Sequence, residues 1–180
     1  FSYMIEDFDG DMAGAEICFE ITPGNDTPVI VKPANEVVDE TNLDQGNLVD
    51  TGTIQANFFG DGPGTIQGNN VFTSSVPLTS GGAAVIVAYA NGVYTGEANG
   101  QEIFRLEIDA NGDYEYTQKG VLDHPNADND NDSITLNFGI EAVDNDGDTD
   151  STTLDIIVKD DGPSIHNKAK AIDETNANDN

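Results

Sequence analysis

Basic residues are scarce. Six lysines and arginines stand against 34 aspartates and glutamates, for a formal net charge of −28. A surface this negative repels phosphate backbones and anionic headgroups, which disfavours nucleic acid and membranes as partners. Self-repulsion of this size also loosens a compact state unless counter-ions neutralise it, so a divalent cation is the natural companion. Tryptophan is absent, cysteine occurs once and histidine twice. One thiol cannot form an intramolecular disulfide; Cys18, within Ala15-Glu16-Ile17-Cys18-Phe19-Glu20-Ile21, is expected to fill a core position. There is no Cys/His zinc pattern, GxSxG, HExxH or phosphate loop, so the chain reads as a non-enzyme. His124, beside Pro125, reads as a hydrogen-bonded turn residue. No apolar stretch is long enough to span a bilayer and no signal peptide begins the chain. Phe1 starts inside a strand-like run, which suggests an excerpt from a longer polypeptide.

What is abundant is aspartate: 23 of the 34 acids are Asp and 11 are Glu. Aspartate suits turns and close-range chelation, whereas glutamate suits helix surfaces. Strand-like runs dominate, at Phe1–Ile5, Ala15–Thr22, Pro28–Lys32, Thr51–Phe59, Ala83–Ala90, Ile103–Asp109, Tyr114–Gln118, Ser133–Val143 and Thr152–Lys159. Phe104, Leu106 and Ile108 alternate with polar residues and share one face. Gly, Asn, Asp and Pro clusters separate the runs, and no segment keeps a helical period over three turns. Asp109-Ala110-Asn111-Gly112-Asp113 reads as a hairpin in which Asn111 and Gly112 supply positive φ angles. An all-β antiparallel sandwich follows. Low hydrophobicity with high charge also fits disorder, but the ordered alternation argues against it.

The chain repeats itself. Asp7, Asp9 and Asp11 in Ile5-Glu6-Asp7-Phe8-Asp9-Gly10-Asp11 superpose on Asp144, Asp146 and Asp148 in Ala142-Val143-Asp144-Asn145-Asp146-Gly147-Asp148 (144 − 7 = 137). Val38-Asp39-Glu40-Thr41-Asn42 returns as Ile172-Asp173-Glu174-Thr175-Asn176 (173 − 39 = 134). The expected organisation is a tandem array: residues 1–28 close a preceding repeat, 29–163 form one complete repeat, and 164–180 form a linker opening the next.

The succession Val38-Asp39-Glu40-Thr41, Phe59-Gly60-Asp61-Gly62, Asn111-Gly112-Asp113-Tyr114-Glu115-Tyr116, Leu122-Asp123-His124-Pro125, Val143–Asp148 and Asp160-Asp161-Gly162-Pro163 resembles the tandem repeat of type I-secreted agglutinins, the giant RTX adhesins of Gram-negative bacteria. The resemblance covers nearly the whole chain in order. It implies an immunoglobulin-like or cadherin-like sandwich and secretion to the cell surface without a cleaved N-terminal signal. It also implies calcium ions that rigidify the array, and a role in adhesion or biofilm formation. At the first junction Gly24–Pro28 replaces the Asp-Asp-Gly-Pro pattern and leaves only Asp26.

Calcium takes six to eight oxygens at about 2.3–2.6 Å, and Asp at alternate positions of a tight loop aims several carboxylates inward while Gly turns the backbone. Asp144-Asn145-Asp146-Gly147-Asp148 and Asp7-Phe8-Asp9-Gly10-Asp11 have this form, and Asp128-Asn129-Asp130-Asn131-Asp132 is a third cluster without the Gly. An EF-hand is rejected, because Thr149 holds the position that needs Gly. Solvated turns capped by Asx hydrogen bonds are the alternative for each cluster. At the junctions, Asp160 and Asp161 with Asp173 and Glu174 could share one ion between successive repeats, and Asp26, Asp39 and Glu40 would be the corresponding front set. A flexible acidic linker is the alternative there.

Three roles compete: a calcium-stiffened extender, a module binding surface glycans or other cells through exposed tyrosines (Tyr89, Tyr94, Tyr114, Tyr116), and a filament subunit assembled by strand addition. Neighbouring repeats are the expected partners in the first and third. A halophile's acidic surface would scatter acids over all faces, whereas here they recur in short loops.

Overall fold

The fold is described from a computed structural model over residues 1–20, 24–126 and 132–161. The strands, in chain order, are β1 (Ser2–Glu6), β2 (Met12–Glu16), β3 (Val29–Val31), β4 (Glu36–Asp39), β5 (Leu48–Thr53), β6 (Gln55–Asn57), β7 (Thr65–Ser74), β8 (Thr79–Ser80), β9 (Ala83–Ala84), β10 (Ile86–Ala90), β11 (Val93–Ala98), β12 (Gln101–Ile108), β13 (Asp113–Gln118), β14 (Ser133–Val143) and β15 (Thr149–Lys159). Short 3-10 turns span Glu40–Gln45 and Phe59–Asp61.

Period-two alternation sends every second side chain to one face of a strand. In β14 that set is Ile134, Leu136, Phe138, Ile140 and Ala142, and all are fully buried. β15 faces the same way with Leu154, Ile156 and Val158, while β12 contributes Phe104, Leu106 and Ile108, and β13 Tyr114 and Tyr116. These faces belong to two sheets, β4-β15-β14-β7 and β10-β11-β12-β13-β5, packed over one core. The protein is thus an all-β sandwich. Its order matches the two immunoglobulin sets, with β5, β13 and β12 in one and β7, β14 and β15 in the other. One pairing departs from the antiparallel expectation: β4 runs parallel to the end of β15, with Asp39 opposite Lys159.

Phe138 is the hub of the core. Its ring centroid lies 5.1 Å from Phe72, 5.3 Å from Tyr94 and 5.9 Å from Phe104, so both sheets meet on one side chain. Tyr94, Tyr114 and Tyr116 are buried and Tyr89 packs against the core, which removes them as an exposed binding platform.

Local expectations fared unevenly. β14 has the predicted bounds, and β12 joins β13 through the predicted hairpin. Gly112 alone takes a positive φ there (+92°), because the loop is a turn closed by one left-handed residue; Asn111 instead donates to the Asp113 carboxylate at 2.7 Å. β4, β7 and β11 were not anticipated. β7 contains Gly68-Asn69-Asn70, which reads as a turn, and the structure places a bulge there, with Asn70 at φ +62° and a register shift opposite Gly139. Of the run expected over Ala15–Thr22, the described part is strand only at Ala15–Glu16, the end of β2, and Cys18 is exposed instead of buried, because among the described residues no second sheet covers its hairpin.

The sandwich has two ends. β15 runs from the 144–148 loop to Asp160, ten residue steps or about 33 Å. The chain comes in past Asp26 at the first end, runs beside β15 through β3 and β4, and reaches Asp39 and Glu40 at the second.

Candidate metal centres

At the first end the loop between β14 and β15 is built by its leading aspartate. Asp144 N–H donates to the Asp148 carbonyl at 3.1 Å, and Asp144 Oδ1 accepts from the Gly147 and Asp148 amides at 2.9 and 2.8 Å. Gly147 supplies the left-handed residue at φ +100°. One carboxylate oxygen is therefore committed to the turn, as the Asx alternative expects. Its other oxygen is not. Asp144 Oδ2 is buried and has no hydrogen-bond partner among the described residues, and one carboxylate oxygen of Asp144 lies with one each of Asp61 and Asp146, all within 4.8 Å of one another.

Asp61 was not singled out in the sequence as a candidate ligand because it stands 83 residues from Asp144, in the turn Phe59–Asp61. The Asn145 amide donates to the Asp61 carbonyl at 3.1 Å and locks the two loops together. The incoming segment joins them: Asp26 N–H donates to Asp61 Oδ2 at 2.6 Å, and Asn25 Nδ2 donates to Asp148 Oδ2 at 2.8 Å. Three stretches of chain thus bring acids to one place. Burial works to raise the Asp144 carboxyl, but hydrogen bonding with Asp146 and the loop amides outweighs it and the net shift is down. Asp146 moves up, first through that shared hydrogen bond and then through burial and the charges of Asp144, Asp61 and Asp148.

The loop at Asp7–Asp11 is the same object. Asp7 N–H donates to the Asp11 carbonyl at 3.0 Å, Asp11 N–H donates to Asp7 Oδ1 at 2.9 Å, and Gly10 has φ +96°. Asp7, Asp9 and Asp11 cluster there with all three side chains exposed, and no described residue plays the part of Asp61. Hydrogen bonding with Asp9 and to the amides of Asp11, Asp9 and Gly10 lowers the Asp7 carboxyl.

The second end holds Glu40, His124 and Asp160, with one ligand atom from each inside a 4.8 Å group. Glu40 begins the turn that Asp39 caps by accepting from the Thr41 amide at 3.1 Å. Glu40 Oε1 accepts from Gln118 Nε2 at 2.9 Å and from the Leu122 amide at 3.0 Å, and Tyr116 in turn donates to Gln118 Oε1. Glu40 Oε2 has no hydrogen bond and faces His124 Nε2 at 3.6 Å. Neither His124 nitrogen has a hydrogen-bond partner among the described residues, so the expected hydrogen-bonded turn histidine is instead a buried, unpartnered one. Asp123 fixes its loop by accepting from the Gly81 and Gly82 amides at 2.9 and 2.8 Å. Burial pushes the Glu40 carboxyl up to about 8, opposed by the Leu122 and Gln118 hydrogen bonds and helped by the charges of Asp161 and Asp160.

The front junction set of Asp26, Asp39 and Glu40 is not assembled. Asp26 lies at the first end and the other two at the second, because β3 and β4 carry the chain along the length of β15 between them. Asp160 meets Glu40 of its own sandwich; Asp173 and Glu174, proposed to share its ion, lie outside the described residues, as do Asp128 and Asp130. Asp132 accepts from the Asn126 and Ser133 amides at 3.0 and 2.8 Å, and its carbonyl accepts from the Asp160 amide, a loop-closing role.

No curated protein and no solved structure matches the chain. Residues 35–157, more than half of the chain and the body of the sandwich, match a family model described as a domain of unknown function, and the chain belongs to that family, DUF5801.

Proposed function

We propose that the chain is a calcium-stiffened extender segment of a secreted bacterial surface adhesin, with Ca2+ held at the first end by Asp61, Asp144 and Asp146 and with Asp26 and Asp148 alongside. The observation that carries the reading is the Asp144 carboxylate, which has one buried oxygen without a hydrogen-bond partner and groups with the carboxylates of Asp61 and Asp146 within 4.8 Å. Hard oxygen donors from a glycine-turned loop are what calcium selects. An ion there would tie the incoming segment to both loops and set the angle at which the preceding unit enters.

The tandem arrangement is supported by a second match. β1 pairs with β2 in the register of β14 with β15: Glu6 opposes Met12 as Val143 opposes Thr149 (143 − 6 = 137 and 149 − 12 = 137). Phe1, Tyr3, Ile5, Ile17 and Phe19 are exposed, while their counterparts Phe138, Ile140, Ala142, Leu154 and Ile156 are all fully buried. The hairpin keeps the inward-facing pattern of a sandwich whose other sheet lies elsewhere. In an extender that sheet is the rest of the preceding repeat; in a filament it belongs to a neighbouring subunit.

A calcium titration of melting temperature decides the reading, with Asp144→Asn as the informative variant, since an amide keeps the oxygen that the turn uses but removes the charge facing Asp61. Calcium should raise the melting temperature of the parent chain and shift the variant much less. An unchanged melting temperature and hydrodynamic length on chelation would remove calcium from the account.

A further inference from the structure

The second end of the sandwich is not a calcium site by its chemistry. Calcium binds through oxygen, in sets of six to eight. Here one donor is an imidazole nitrogen, and one of the two Glu40 oxygens is already committed to Gln118 and Leu122. Nor is the group an ordinary ion pair. Nε2 to Oε2 is 3.6 Å, beyond hydrogen-bonding distance, although the two side chains are 1% and 0% exposed. Three polar atoms, Glu40 Oε2, His124 Nδ1 and His124 Nε2, are buried with nothing to bond to among the described residues, and buried polar atoms are rarely left so.

We propose that Glu40, His124 and Asp160 form a second cation site that takes a zinc-class divalent metal, coordinated by one imidazole and two carboxylates. A tetrahedral ion with nitrogen and oxygen ligands at about 2.0–2.2 Å holds neighbouring ligand atoms about 3.3–3.6 Å apart, close to the spacing of the buried pair. Asp160 is only half-buried and completes the set from the end of β15, leaving a fourth position for water. The surroundings favour a cation: Asp161 adds a further negative charge, and none of the described basic residues, Lys32, Arg105, Lys119 and Lys159, forms an ion pair with Glu40 or Asp160. The three ligands come from the opening turn, the loop after β13 and the outgoing strand. A bound ion would therefore pin the exit of the chain to the start of its own sandwich. The site stands independently of calcium at the first end.

The test uses the untagged chain, stripped with chelator and titrated with Co2+ as a coloured stand-in for zinc. One equivalent should give the intense visible bands of four- or five-coordinate cobalt. Stoichiometric Zn2+ should abolish them, and millimolar Ca2+ should not. His124→Gln and Asp160→Asn should lose the bands, while His166→Gln and Asp144→Asn keep them; the last variant separates this site from the calcium reading. A spectrum of hydrated Co2+ alone, bands that survive His124→Gln, or bands lost in His166→Gln would each overturn the proposal. If circular dichroism shows that His124→Gln does not fold, Asp160→Asn decides, because it leaves the buried pair in place.

Discussion

Tyr94→Phe isolates one hydroxyl at the centre of the molecule. The Tyr94 hydroxyl donates to the Gly139 carbonyl at 2.7 Å, with the Val71 carbonyl nearby at 3.3 Å. Gly139 sits where the β14–β7 ladder loses its register, so Tyr94 stands in for a missing strand donor. The Asn69–Val71 stretch folds over this point: a Cβ on Gly139 would lie 2.8 Å from Val71 Cβ and would collide with Asn69 Oδ1. Phenylalanine keeps the ring and its contacts with Tyr89 and Phe138 at 4.5 and 5.3 Å, so no large cavity opens. What remains is a buried carbonyl without a donor, which costs about 1–3 kcal/mol. For a chain of this size that lowers the melting temperature by roughly 2–4 °C per kcal/mol. Tyr114→Phe is the matched control. Its hydroxyl donates to Glu36 Oε1 at 2.9 Å in a part-buried setting where water can replace it, so the loss should stay below about 1 kcal/mol. Urea unfolding in chelator measures both, with an unchanged m-value confirming that only stability moved. Equal losses in the two variants, or no loss in Tyr94→Phe, would refute the argument that the bulge depends on Tyr94.

Two glycines in the same kind of turn should differ in what they tolerate. Gly147→Ala, at φ +100° with open space around it, should cost about 1 kcal/mol in chelator from conformation alone. Gly112→Ala, at φ +92°, would drive its methyl into the Ile54 carbonyl and to 2.9 Å from Ile66 Cδ1, so urea midpoints should show a loss of at least about twice that. Asp155→Asn should flatten the acid limb of the stability curve. Burial raises the Asp155 carboxyl, but the Lys32, Asn137 and Thr153 contacts outweigh it and the net shift is down. A carboxyl lowered by folding adds stability above its unfolded value near 3.8, and that stability is lost as pH falls through the folded value. Thermal melts from pH 6 to pH 2 should therefore converge for parent and variant at the acid end; a constant gap would contradict the assignment.

Much of the sandwich was legible because alternation is a local signal. β14 could be bounded to the residue, since five apolar side chains at every second position leave no other face to bury. The likeness of the two loops was legible for a similar reason: a five-residue loop fixed by one aspartate and one glycine carries its geometry in its own sequence, at Asp7 as at Asp144. β7 was not, because its bulge is specified by Gly139 and Tyr94 across the core and not by its own Gly68-Asn69-Asn70. The sites divide along the same line. Asp144 and Asp146 share a loop and were found, whereas Asp61 reaches them from a turn 83 residues earlier. Glu40, His124 and Asp160 are separated by 84 and 36 residues, so no motif spacing could join them, and the histidine was read by its neighbour Pro125 instead of by its burial.

Eight of the 34 acids gather at the two ends of the sandwich. Asp26, Asp61, Asp144, Asp146 and Asp148 gather where the chain enters the sandwich, and Glu40, Asp160 and Asp161 where it leaves, about 33 Å away along β15. One acid in each gathering, Asp144 and Glu40, is held in place by backbone amides. Interactions between exposed charges fade beyond about 10 Å at ordinary ionic strength, so the two ends do not sense each other electrostatically. On the two proposals above, they would take different ions and be tuned separately. At the entrance, oxygen-only donors shared with the incoming segment suit a cation that sets how one unit follows another. At the exit, an imidazole with two carboxylates inside a single sandwich suits one that closes the unit on itself. If that division holds, chelation selective for zinc should loosen the sandwich and leave the joint to the preceding hairpin intact, whereas calcium-selective chelation should do the reverse.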